Sequence, residues 1–153
     1  MTIGVLVEGL EVLIPYRVHD LAAPETALPH APERARLERL CHDSRHVDGH
    51  VRERCARLLM AEHDPLAAPY ILQLASEYVI EILNVIYAGF DSCNRESLSR
   101  FLADNPAFHA KARQRMISYW DCYHRRWFPR STDYVGYKLF AEFDLLRPGA
   151  MRG

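Results

Sequence analysis

His42, His46 and His50 recur at four-residue spacing, flanked by Cys41 and Cys55. On one continuous helix that spacing lines up three imidazoles, which with a nearby thiolate would form a zinc site. Asp48-Gly49 falls inside the run and implies a turn, so the expectation is solvated loop histidines, with no bound metal and no other cofactor. Cys122 and His124, beside Asp121, offer a nucleophile and a base. Residues two apart on a helix face different directions, which argues against that pair acting together. His63 precedes Asp64 at an expected helix end, where a histidine meets the negative end of the helix dipole and needs no further role. The chain has no Gly-rich phosphate loop, GxSxG or HExxH motif, and no catalytic residue is assigned.

The segment 119–137 (YWDCYHRRWFPRSTDYVGY) carries a different chemistry. Tyr, Trp and Arg dominate protein-binding hot spots, and aromatics interleaved with bases also suit stacking and phosphate contacts in single-stranded nucleic acid. Tyr119, Tyr123 and Trp127 recur every four residues and are assigned to the core face of a helix. That leaves Trp120, Arg125, Arg126 and Arg130 as candidates for exposed contact. Upstream, Glu77 and Glu81 suggest an acidic face.

These groups must be held by helices. Between residues 71 and 86 the apolar positions Ile71, Leu74, Ala75, Tyr78, Val79, Ile82, Leu83 and Ile86 follow helical spacing, which predicts amphipathic helix there, with no Gly or Pro between 70 and 88 to separate two repeat helices from one fused helix. Asn105-Pro106 opens another that extends to Trp127, with an N-cap followed by proline in the first turn. Further helices are expected near 33–42, 50–62, 94–103 and 132–146, the last stopped by Pro148-Gly149. Ile3, Leu6, Val7, Leu10 and Ile14 fit a helical face ended by Pro15. No Asn-Gly or Asp-Gly hairpin signal occurs, so strands are not expected. Residues 22–32 hold Pro24, Pro29 and Pro32 and read as an irregular connection.

At 153 residues and 49% hydrophobic, the chain suits one domain that buries roughly two-thirds of its unfolded surface. The division is an N-terminal cap and connection over 1–32, helical repeats over 33–147, and a tail over 148–153. Four scattered cysteines read as free thiols of a reducing compartment. The apolar run 3–14 is too short for a span, so the expectation is a cytoplasmic protein with no membrane partner. A net charge of −1 hides an asymmetry. Residues 62–104 carry seven acids against Arg95 and Arg100, a net of −5, whereas 105–138 carry seven bases against Asp121 and Asp133, a net of +5. Either the two segments pack together and neutralise each other, or one faces a partner.

Residues 48–72 resemble a HEAT-like helical repeat. The resemblance rests on Val51-Arg52-Glu53, the small residues Cys55 and Ala56, Leu59, then Asp64-Pro65, Ala67, Pro69 and Ile71-Leu72. Small residues let antiparallel helices approach, while Asp and Pro reverse the chain and start the next helix. Weaker copies occur near 76–86, 105–117 and 132–143, and the anchors Val51, Val79, Phe108 and Val135 are 28, 29 and 27 residues apart. The resemblance implies an all-α fold of antiparallel helix pairs in a short, irregular α-α superhelix. It also implies a non-catalytic scaffold that binds a protein partner. One role of that kind is a bacterial immunity-type inhibitor whose Glu77 and Glu81 meet a basic toxin surface. The alternatives are nucleic-acid binding through 105–138 and, third, a zinc or Cys–His enzyme.

Overall fold

The computed structural model describes residues 1–20, 22 and 32–147. It is mostly helical, with one small antiparallel sheet at the N-terminus. The sheet is β1 (Thr2–Val7) and β2 (Leu10–Pro15). Seven helices follow: α1 (Glu33–Asp43), α2 (Gly49–Met60), α3 (Ala67–Ala75), α4 (Ile80–Gly89), α5 (Arg95–Asp104), α6 (Pro106–Tyr119) and α7 (Val135–Leu146). The connection 23–31 and the tail 148–153 lie outside the described residues, as does the Pro148-Gly149 stop.

The hairpin corrects the helix expected over 3–14. Val5 pairs with Val12 and Ile3 with Ile14, and Val5 and Ile14 are buried. Leu6 and Leu13 sit on the outer side, Leu10 lies opposite Val7 at the turn end, and all three are exposed. Their side chains hid the alternation of the strands, and Leu6 and Leu10 supplied the false helical spacing. The turn is Glu8-Gly9, with φ of +50° and +81°. Positive φ at both positions matches a two-residue hairpin turn, but glutamate seldom adopts it, so the dipeptide gave no warning. The edge of β1 is closed by one side chain. Asn105 accepts from the Leu6 N–H through Oδ1 and donates to the Leu6 carbonyl through Nδ2, both at 2.8 Å.

The helical segment 71–86 is two helices and not one fused helix. α3 closes at Ser76, whose hydroxyl donates to the Gln73 carbonyl at 2.7 Å, and α4 begins only after the extended Val79. No glycine or proline marks the break. Glu77 lies in it and is drawn inward by three arginines. α3 is buried along its whole length and touches α1, α2, α4, α5 and α6. An all-round apolar surface suits such a central helix. Leu59, Ile82, Leu83, Leu102, Met116, Leu139 and Phe140 complete the core around it.

Sequence signals set most other boundaries. Asp48 caps α2 by accepting from the His50 N–H at 2.8 Å, and Asn94 caps α5 through the Ser97 N–H at 3.1 Å. Asp64 turns the chain between α2 and α3, its side chain accepting from the Leu66 N–H. Gly136 lets α7 pass close to Met116 of α6. α6 ends at Tyr119 and widens into a π-helical turn, Trp120–His124, closed by Arg125 N–H to Trp120 carbonyl at 2.7 Å. The wider turn rotates every side chain beyond it relative to the face of α6.

Candidate functional site: a tyrosine and arginine face

The break after α3 and the π-turn after α6 lie side by side. His124 of the π-turn meets the Tyr78 carbonyl through Nε2 at 2.7 Å. Its ring stacks on Tyr134 with centroids 5.0 Å apart. Three tyrosines gather at this junction: Tyr78 lies 5.7 Å from both Tyr119 and Tyr123, and Tyr119 lies 6.0 Å from Tyr123. Tyr78 is 48% exposed, Tyr123 61% and Trp127 72%. Arg126 lies over the Trp127 ring at 5.3 Å. Aromatic rings offered to solvent on a fixed backbone are contact surface with little ordering left to pay for.

Beneath the tyrosines is a buried ionic cluster. Glu77 accepts from Arg17 at 2.8 Å, Arg45 at 3.0 Å and Arg52 at 2.7 Å. Arg45 is 1% exposed and also donates to the carbonyls of Pro15, Ser44 and Tyr16. Arg52 donates to the carbonyls of His46 and Val47. These bonds satisfy guanidinium groups that burial would otherwise make prohibitively costly. Burial holds the Arg45 guanidinium below its ordinary value even so, the Glu77 carboxylate opposing it. Burial also raises the Tyr119 phenol above its usual range.

No family model, curated protein or solved structure matches this chain. The reading of the site therefore rests on its geometry.

That geometry rearranges the residues singled out by sequence. Glu77 is buried at the centre of the arginine cluster and is not on an acidic face, whereas Glu81 is exposed on α4. Trp120, expected outside, is half-buried: its indole donates to the Phe128 carbonyl at 2.9 Å, and its ring meets Tyr137 edge-on at 5.5 Å. Tyr123 and Trp127, assigned to the core, are exposed, because the π-turn breaks the four-residue periodicity that placed them inside. Arg125 pairs with Asp121 at 2.9 Å and Arg130 with Asp133 at 2.9 Å. The acidic segment 62–104 and the basic segment 105–138 pack against each other through α3 with α6 and α5 with α6, but among the described residues no ion pair joins them. Glu62 and Asp64 pair instead with Arg36 and Arg34 of α1.

His42, His46 and His50 are split among α1, the following turn and α2. His42 faces the Asp20 carboxylate at 3.0 Å, and His46 Nε2 meets the Asp20 carbonyl at 2.8 Å. Among the described residues no group of three His, Cys, Asp or Glu is placed to hold a metal ion. Cys122 is exposed on the π-turn, whereas Cys41, Cys55 and Cys93 are buried and unbridged. His124 is turned toward Tyr78 and Tyr134. Among the described residues no helix is long and apolar enough to cross a membrane.

Sequence reasoning missed Tyr16, Arg17, Arg45 and Arg115. One signal was available: Glu77 is the only charged residue from 65 to 80, in a mostly apolar stretch, and a buried acid demands cations.

Proposed function

We propose that the protein is a non-catalytic, protein-binding helical scaffold whose contact surface is the face formed by Tyr78, Tyr119, Tyr123, Arg126 and Trp127. The observation that carries this reading is the exposure of Tyr123 on the π-turn and of Trp127 just after it, the turn being anchored by His124 and Trp120. Large rigid aromatics in solvent disfavour the free protein and reward a partner that covers them. The HEAT-like arrangement belongs to this proposal, supported by α2 and α3 meeting at an Asp64-Pro65 turn. A cytoplasmic setting accords with the unbridged thiols. If the partner is a toxin, contact runs through the tyrosines, because Glu77 is sealed inside.

Nucleic-acid binding is the second reading, favoured by the Arg126–Trp127 stack. It is weakened by Asp121 and Asp133, which occupy Arg125 and Arg130. The test is capture from the native cell on immobilised wild type and on the Tyr123→Ala, Trp127→Ala double variant. A protein held by the first and lost by the second supports the scaffold. Equal capture by both, or capture abolished by nuclease, overturns it.

A further inference from the structure

We propose that the notch between Arg17 and Arg115 receives a carboxylate from an acidic segment of the partner. This rests on the protein-binding reading above and specifies the partner's chemistry. The notch lies where the end of the hairpin meets the α3–α4 break and α6, walled by Tyr16, Tyr78 and Tyr119.

Charge is the first reason. Arg17, Arg45 and Arg52 share the one carboxylate of Glu77, three positive charges against one negative, so a net +2 sits directly under the notch. Arg115 makes no ion pair among the described residues and adds to that excess. A concave site of one sign on a low-dielectric base focuses its field and concentrates the opposite charge. A basic partner is repelled from the same place.

Unused bonding capacity is the second. Gln73 lines the notch and is 2% exposed, yet its carboxamide oxygen has no hydrogen-bond partner. Buried polar atoms are rarely left so. The Gln73 carboxamide carries NH2 donors that an anion entering the notch can use.

The innermost space of the notch is about 10 Å³, roughly the room one water molecule occupies, so one carboxylate oxygen fits it with the second left at the rim for Arg115. The surrounding tyrosines offer hydroxyl donors and flat apolar walls for the aliphatic stem of a glutamate. A nucleic-acid strand would in addition need a continuous track of unpaired cations, which the Arg125–Asp121 and Arg130–Asp133 pairs interrupt.

Unstructured poly-L-glutamate is the probe, titrated into wild type, Arg115→Glu, Arg115→Ala and Arg130→Ala while the Tyr and Arg side-chain NMR signals are followed. Binding is expected at low salt, with shifts confined to Tyr16, Arg17, Tyr78, Arg115 and Tyr119. Added salt screens it, and Arg115→Glu weakens it by about tenfold or more. Arg115→Ala should weaken it in the same direction, and Arg130→Ala should leave it unchanged. No binding to wild type, or equal binding to Arg115→Glu, overturns the proposal. Tighter binding of a single-stranded oligodeoxynucleotide that is indifferent to Arg115→Glu overturns it in favour of nucleic acid. The captured cellular protein separates the two levels. If it is lost with Tyr123→Ala, Trp127→Ala but kept with Arg115→Glu, the acidic-segment proposal fails and the scaffold stands. If it is kept by both variants, the scaffold reading itself fails.

Discussion

The Glu77 carboxylate accepts from Arg52 at 2.7 Å, and both side chains are at least nine-tenths buried. This contact joins the break between α3 and α4 to the inner face of α2. It also fixes the polypeptide just before Tyr78, so the ring that begins the exposed tyrosine group is aimed by a charge beneath it.

Replacing Glu77 by Ala leaves Arg45 and Arg52 buried without their anion. Removing one partner of such a cluster costs about 3–5 kcal/mol. Urea denaturation should show a midpoint lowered accordingly, and an unchanged midpoint would mean the cluster carries no net stabilisation.

Asn105 acts on the hairpin as a third strand would, pairing both backbone groups of Leu6. Asn105→Ala should cost about 1–3 kcal/mol and release the Leu6 amide. Hydrogen exchange at Leu6 is the readout: it should accelerate well beyond the exchange of amides in α4.

Acid should loosen the junction of α6 and α7. His109 is 2% exposed, its Nε2 has no hydrogen-bond partner, and its ring stacks on Phe140. Burial, reinforced by Arg113 and opposed by Asp144, lowers its pKa below the ordinary value, with Arg147 also lowering it. The unfolded chain thus takes up the proton first. The stability held by neutral His109 is complete above about pH 6.5 and is lost as pH falls from there toward the depressed folded value. Thermal denaturation across this window should show wild type losing more than His109→Phe, which keeps the ring stack and cannot titrate. Parallel losses would refute the assignment.

A methyl group at position 136 has no room. A Cβ there would lie 2.7 Å from the Tyr134 ring and 2.8 Å from Met116 Cγ. Alanine is the better helix former by about 1 kcal/mol, but the overlap should cost about 1–3 kcal/mol. Gly136→Ala should therefore lower the denaturation midpoint despite its favourable propensity.

How far sequence reaches depends on which force sets each feature. α2 and α5 follow capping at Asp48 and Asn94, and α6 opens on Pro106 in its first turn, all local and read directly, although the Asn105 side chain expected to cap α6 binds Leu6 instead. The hairpin was missed because its turn is Glu8-Gly9 and its exposed Leu6 and Leu10 imitate a helical stripe. The α3–α4 break was missed because its cause is distant: Arg17, Arg45 and Arg52 pull on Glu77 from other elements. The aromatic face was half seen. The right segment stood out, but a π-turn has no composition signature, and one such turn exchanged the inward and outward residues. Trp127→Ala should accordingly change stability by no more than about 0.5 kcal/mol, as at other exposed sites, whereas a core position would lose several.

Of the four thiols, Cys41 and Cys55 are buried deeply enough that their pKa is pushed up to about 12, and Cys93 is raised by the same cause. Cys122 alone stands in solvent, one residue from Tyr123. A maleimide dye offered to the folded protein should couple there before the others, without mutagenesis. The native chain thus carries its own attachment point for a reporter, placed where an approaching partner would first quench or shield it.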